Sequence, residues 1–159
     1  MESNIKPELL ITSFPKAGRT WITFLISRYL QRTFNLREEE LVYTEKISRL
    51  CDRISPITVS HEDNPHMKEP EELSKDKSQY SNKKVLLIAR DPRDIIVSWY
   101  FHRKLRKEAT ERYRGTISEF IKERKGGFNS IVSYYNIWAM NREAPLNFLM
   151  VKYEQFRYL

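Results

Sequence analysis

The sequence predicts an α/β domain whose central sheet is mainly parallel and flanked by helices. Three observations carry this. Short apolar runs alternate along the chain with longer segments of helical periodicity. The run Lys84–Ala89 is almost unbroken in apolar character, as suits a parallel strand covered on both faces. Two runs end at residues that open a helix, Pro15-Lys16-Ala17-Gly18 and Asp91-Pro92, which is the strand–turn–helix order of α/β units.

The elements follow in order. Leu9–Phe14 is short, apolar and stopped by Pro15, so it reads as a buried strand. A helix begins near Arg19. Trp21, Phe24, Leu25 and Leu30 form its predicted apolar stripe, and Arg28 and Arg32 fall on the outer face. Residues 37–50 predict a second helix whose acidic start (Glu38, Glu39, Glu40) suits the helix dipole. Ile57–Ser60 is β-branched and reads as a strand running into His61. Residues 62–82 are polar and contain Pro65 and Pro70. They predict a mobile loop with a short helix near Glu71–Leu73.

After the strand Lys84–Ala89, Asp91 is placed to cap a helix and Pro92 to occupy its first position. Ile95, Ile96, Trp99 and Tyr100 form the buried stripe of that helix. Nine Lys or Arg against four Glu then mark residues 103–125 as a basic segment, read as a helix with His102 on its surface. Gly126-Gly127 breaks it. Phe128–Met140 predicts an aromatic-rich helix and Leu146–Val151 a final strand.

Composition bounds the reading. The chain has 159 residues, enough for a single domain with a real core. Its 28 Lys and Arg exceed its 21 Asp and Glu by seven, which suggests anionic partners. The lone Cys51 excludes an internal disulfide framework and any ordinary cysteine-based zinc site, and it fits a reducing compartment. No apolar run reaches the roughly 20 residues that cross a bilayer, and the N-terminus lacks the apolar core of a signal peptide. The expectation is a cytoplasmic protein with no membrane partner. Nothing in the sequence fixes an oligomeric state.

Two segments carry chemistry. Phe14–Trp21 sits where a strand ends and a helix begins, which is where open α/β sheets bind ligands. The N-terminus of a helix offers free N–H groups to phosphate or sulfate. Gly18 permits close backbone approach, Lys16 and Arg19 add charge, and Thr20 adds a hydroxyl. The segment lacks the first Gly and the Lys-Ser/Thr order of the standard P-loop, so it is an anion cradle of another kind. The second segment, Ala89–Ser98, delivers Arg90 to a strand end, where its planar fork suits a phosphate. Ser98 lies two turns into the next helix. Arg93 and Asp94 read as surface charge.

In order and spacing, these two segments resemble the sulfotransferases that use 3′-phosphoadenosine 5′-phosphosulfate (PAPS). The family's 5′-phosphosulfate loop runs close to T-Y-P-K-S-G-T-T-W; here Thr12 to Trp21 reads T-S-F-P-K-A-G-R-T-W. The family's 3′-phosphate motif has an Arg followed eight residues later by a Ser, here Arg90 and Ser98. The resemblance covers nearly the whole chain and implies a P-loop-like sulfotransferase fold. It implies that Lys16 contacts the oxygen bridging phosphate and sulfate. The backbone of Ala17, Gly18, Arg19 and Thr20, with the Thr20 hydroxyl, would hold the 5′-phosphate. Trp21 would stack near the adenine, Arg90 and Ser98 would hold the 3′-phosphate, and Tyr153 would lie near the adenine. His61, after its strand and before a Pro-bearing loop, matches the family's general base, with His66 as a rival close by.

The chemistry such a family performs suits these residue types. Charge grows on the bridging oxygen of the leaving phosphate, where a fixed ammonium such as Lys16 helps most. A histidine neutral near pH 7 can take the acceptor's proton, worth about 10²–10⁴-fold in rate. No metal is required. The implied acceptor is a small molecule or glycan bearing a hydroxyl or amine, met by loops such as residues 62–82. Arg19 stands where animal cytosolic members have Thr, and Ala17 where they have Ser. The family also has a later segment, with an Arg-Lys-Gly cluster and a G-x-x-G-x-W-K pattern, which closes over the 3′-phosphate. The chain therefore reads as the front portion of that domain, incomplete at its C-terminal end. Two other functions stay open: an inactive nucleotide-binding remnant of the fold, and a nucleic-acid-binding module using residues 103–125 with Tyr113 and Phe120.

Overall fold

The computed structural model describes residues 6–36, 44–106 and 112–156. Strands β1 (Leu9–Ser13), β2 (Ile57–Ser60), β3 (Lys84–Ala89) and β4 (Asn147–Lys152) form one sheet in the order β2-β1-β3-β4. Every neighbouring pair is parallel. The chain leaves β1 for β2 on one side and then crosses to β3 on the other. This reversal opens a crevice at the carboxyl ends of β1 and β3, the usual ligand position in such sheets.

Register aligns the strand ends. Thr12 pairs with Ser60, Ser13 with Ile88, and Ala89 with Lys152. The next residues out of the sheet are therefore Phe14, His61, Arg90 and Tyr153, all at one edge. The two central strands carry the core, β1 with Leu10, Ile11, Thr12 and Ser13 buried and β3 with Val85, Leu87 and Ile88. β4 is an outer strand, and its Leu149 and Met150 are exposed.

Helices α1 (Arg19–Thr33), α2 (Thr44–Leu50), α3 (Pro92–Phe101), α4 (Ile117–Ile121) and α5 (Phe128–Met140) flank the sheet. α3 follows its sequence pattern: Asp91 caps it, Pro92 opens it, and Ile95, Ile96, Trp99 and Tyr100 are buried. Each such side chain contributes roughly 1.5–3 kcal/mol by leaving water. α5 buries Ile131, Tyr134 and Trp138 in the same way. The predicted acidic start of the second helix, residues 37–43, lies outside the described residues.

Three expectations are corrected. The inward face of α1 is Ile22, Ser27 and Gln31, whereas Trp21 and Leu25 face outward. Polar groups are tolerated inside because they are paired: Ser27 Oγ lies 2.8 Å from Thr44 Oγ1 and donates to Thr23 O at 2.8 Å. The basic segment is no continuous helix. It passes through a π-helical turn at His102–Arg106 and later the short α4, and its Phe120 is core. Tyr113 packs on Tyr100 and Phe120, so neither ring is a platform for stacked bases. The loop at 62–82 is pinned along its length. Two 3₁₀ turns, Pro70–Glu72 and Ser78–Tyr80, punctuate it. Asp63 accepts from Ser74 N at 2.7 Å and pairs with Lys68, and Lys77 is buried.

Candidate active site

The turn between β1 and α1 is built on left-handed backbone. Lys16 has φ 71° and Gly18 φ 91°. A lysine held there costs roughly 1–3 kcal/mol, a strain that tends to persist at functional sites. Gly18 is also required by packing, because a Cβ at this position would lie 2.2 Å from Tyr153 Cδ2. As the cap of α1, Gly18 provides no side-chain hydrogen bond, and the first turn of α1 carries no acidic residue. The N–H groups of Arg19, Thr20 and Trp21 therefore open toward the crevice without a competing carboxylate. Ala17 departs from the expected cradle: its methyl is in the core and its N–H donates to Phe14 O at 3.2 Å.

Arg90 crosses from β3 to this turn. Its Nη1 donates to Lys16 O at 3.2 Å, and its Nη2 lies 3.4 Å from Asp94 Oδ2. Asp94, read as surface charge, thus steers the guanidinium. The Arg90 N–H donates to the Tyr135 hydroxyl at 3.3 Å. The guanidinium carbon sits 4.6 Å from the centroid of the Tyr153 ring. Tyr153 is therefore the spacer between the two cradles, touching Gly18 on one side and Arg90 on the other. Arg90 Nε is buried and lacks a hydrogen-bond partner among the described residues.

Together these groups line a cavity of about 550 Å³. Lys16, Gly18, Arg19, Thr20, Trp21, Arg90, Ser98, Tyr153 and His61 all reach it, so of the expected site residues only Ala17 stays out. Among the described residues no carboxylate lines it. Burial lowers the Arg19 pKa, against the opposing pull of Glu45. Trp21 stays half exposed at the rim, stacked on Phe24 with centroids 5.9 Å apart.

His61 stands across the cavity. Its Nδ1 lies 2.8 Å from Ser13 O. A carbonyl can only accept, so Nδ1 carries the proton, and Nε2 of the neutral ring is free to take another. Burial, outweighing the Ser13 contact, lowers its pKa to about 4, and the charges of Arg19 and His66 add to this. The ring is thus neutral at pH 7. His66 and His102 line the same cavity and both pack on Trp99, His66 edge-on and His102 stacked. The placement of His102 on the surface is corrected. It lies four residues after Ser98, one turn along the same face, and that spacing was its legible signal.

No helix among the described residues is long and apolar enough to cross a membrane. No group of three or more His, Cys, Asp or Glu there could hold a metal ion.

Comparison with known proteins fits this geometry. A family model described as the sulfotransferase domain matches residues 6–158. The chain belongs to the sulfotransferase domain family. Sulfotransferase 2B1 of Rattus norvegicus is 25% identical over 166 residues, spanning 98% of this chain and 47% of that protein. Sulfotransferase 4A1 of Mus musculus is 41% identical over 76 residues, 45% of this chain and 25% of that protein. The chain thus spans less than half the length of these relatives. The fold is also that of mouse sulfotransferase SULT7A1, solved in complex with PAP. The TM-score is 0.59 at 20% identity, over 96% of this chain and 54% of that one. The sheet order and crevice described above are therefore a sulfotransferase fold.

Proposed function

We propose that this sulfotransferase domain binds PAPS in the cavity between the β1–α1 turn and Arg90, and passes its sulfuryl group to an acceptor hydroxyl or amine. The observation that supports this most is Arg90 reaching across to Lys16 O, which brings the two anion-binding turns together at one cavity. The cavity suits the nucleotide: it has cations on both sides and, among the described residues, no lining carboxylate and no partner for the buried Arg90 Nε.

PAPS supplies the sulfuryl group; the residues supply binding, orientation and proton transfer. Lys16 and the open N–H groups of α1 hold the 5′ end, and the Lys16 ammonium offsets negative charge there. Arg90 and Ser98 hold the 3′-phosphate. Trp21 and Tyr153 offer aromatic surface to the adenine. His61 holds its Nδ1 proton on Ser13 O and takes the acceptor's proton at Nε2. The acceptor is a small molecule or glycan that enters beside His61, His66 and His102.

The test is thermal unfolding with PAP, the desulfated product. PAP raises Tm, and Lys16→Ala or Arg90→Ala removes the rise. A folded protein with no shift at millimolar PAP rejects the reading. Transfer of labelled sulfate to an acceptor then separates an enzyme from a nucleotide-binding remnant. Binding of RNA or DNA that survives Lys16→Ala and weakens with salt would instead favour a nucleic-acid module.

A further inference from the structure

An ion pair lies beneath the candidate base and takes no part in lining the cavity. Lys77 is 1% exposed and Glu62 7%. Lys77 Nζ lies 2.9 Å from both carboxylate oxygens of Glu62. The Tyr80 hydroxyl donates to Glu62 Oε1 at 3.2 Å, and the Trp138 ring faces the ammonium at 5.2 Å. Burial, with the Glu62 charge, pushes the Tyr80 hydroxyl up to about 12, so it remains a donor. A buried ion pair is a poor source of stability, since well-packed apolar residues of similar volume serve as well or better. Its presence here calls for another reason.

Glu62 directly follows His61. Its N–H donates to Thr12 Oγ1 at 3.1 Å, and that hydroxyl is 2.9 Å from the hydroxyl of buried Tyr134. One residue earlier, His61 Nδ1–H meets Ser13 O. Residues 61 and 62 thus clasp residues 12 and 13 just where β1 and β2 end. Beyond them the chain turns through two left-handed residues, Asp63 (φ 65°) and Asn64 (φ 48°), and leaves the sheet. The Glu62 carboxylate is the anchor that holds this exit in the core.

We propose that the Glu62–Lys77 ion pair positions His61, keeping its Nδ1–H on Ser13 O so that Nε2 is the atom offered to the acceptor. The proposal rests on the reading of His61 as the base. Glu62 and Lys77 are positioning residues, and neither lines the cavity. The charged or titratable groups acting on the ring itself are Arg19 and His66.

The experiment follows the imidazole signals of the full chain by NMR during a pH titration, without nucleotide. It compares wild type, Lys77→Met, and the double variant Glu62→Leu, Lys77→Met. In wild type, the His61 midpoint is expected near 4, with the Nδ1–H signal protected from exchange. Both variants are expected to lose that protection as the ring leaves the core, and relief of burial, the largest cause lowering its pKa, moves the midpoint toward the ordinary 6.5 despite the loss of the Ser13 contact, which raises it. The double variant is expected to keep a wild-type-like Tm, because no buried charge is left alone. Lys77→Arg restores the wild-type titration.

A folded double variant with a protected Nδ1–H and a midpoint near 4 overturns the proposal. So does a double variant that fails to fold, since the pair then serves the fold and not the ring. A wild-type midpoint near 6.5 overturns it as well. Failure to bind PAP bears on the proposed function alone, because no nucleotide enters this experiment.

Discussion

The turns after β1 and after β3 have the same topology and opposite chemistry. After β1, the helix is capped by Gly18, which brings no side chain, and its first-turn N–H groups stay open. After β3, Asp91 caps the helix, and its carboxylate accepts from Arg93 N at 2.9 Å and from the Arg93 guanidinium. Asp94 adds a second negative charge to that first turn. The Asp91–Arg93 bonds hold the Asp91 carboxyl down at a pKa of about 2. One helix end is left to an incoming anion, while the other is already occupied by the protein's own. The lesson is that a strand-to-helix turn contributes to an anion site in either of two ways. It can present backbone, which needs glycine and an empty cap, or it can launch a side chain, which needs a rigid, closed cap behind it. Arg90 is of the second kind. Its own turn is further tied by Asp91 N donating to Glu154 Oε1 at 2.8 Å.

The contrast breaks most severely at Gly18. Gly18→Ala forces a left-handed alanine into the Tyr153 ring, and strain plus overpacking is expected to cost roughly 2–5 kcal/mol. Thermal unfolding will show a lower Tm, and calorimetry will show no PAP binding. Next comes Arg90→Lys, which keeps the charge and loses the fork. One charge-assisted hydrogen bond is worth about 1.5–3 kcal/mol, so PAP affinity should fall roughly tenfold to a hundredfold with Tm little changed. Asp91→Ala removes the cap that Gly18 lacks. It should lower Tm by a few degrees and weaken PAP binding less than Arg90→Lys does, because on the proposed reading that helix end braces Arg90 and does not itself receive the ligand. If the affinity changes as much as in Arg90→Lys, the division between the two turns fails.

A separate test concerns His61, which lines the same cavity. Its folded pKa, about 4, lies below its ordinary 6.5. Between these values the unfolded chain binds more protons, so acid favours unfolding. The contribution of the neutral ring to stability is whole above pH 6.5 and is lost as pH falls to 4. Urea unfolding across that window should show this slope, and His61→Gln should flatten it.

Where one local rule decides the structure, the sequence was legible. Lys84–Ala89 is a strand with the expected bounds because its apolar run suits a doubly covered parallel strand, and Asp91-Pro92 opens α3 because cap chemistry is local. Apolar periodicity failed on α1. Trp21 and Leu25 are apolar yet exposed, while Ser27 and Gln31 are inside, Ser27 paired with Thr44 and Gln31 with Arg28. The site residues were legible as a set because they follow strand ends that register aligns: His61, Arg90 and Tyr153 one step beyond, Lys16 to Trp21 in the turn and first helical turn after β1. The pairing of Glu62 with Lys77 was not, since it joins two polar residues fifteen apart across a loop. His102 is masked by the charged run around it, although its spacing from Ser98 places it on the cavity face.

Tyr153 has a consequence for how the molecule comes into being. Both halves of the cavity leave the ribosome before the aromatic tile wedged between them, Lys16 ahead of Arg90, and Tyr153 follows only after β4. The pocket is thus completed by the last of its parts to be made, and a nascent chain carries a pair of cationic loops with nothing to space them until β4 has docked.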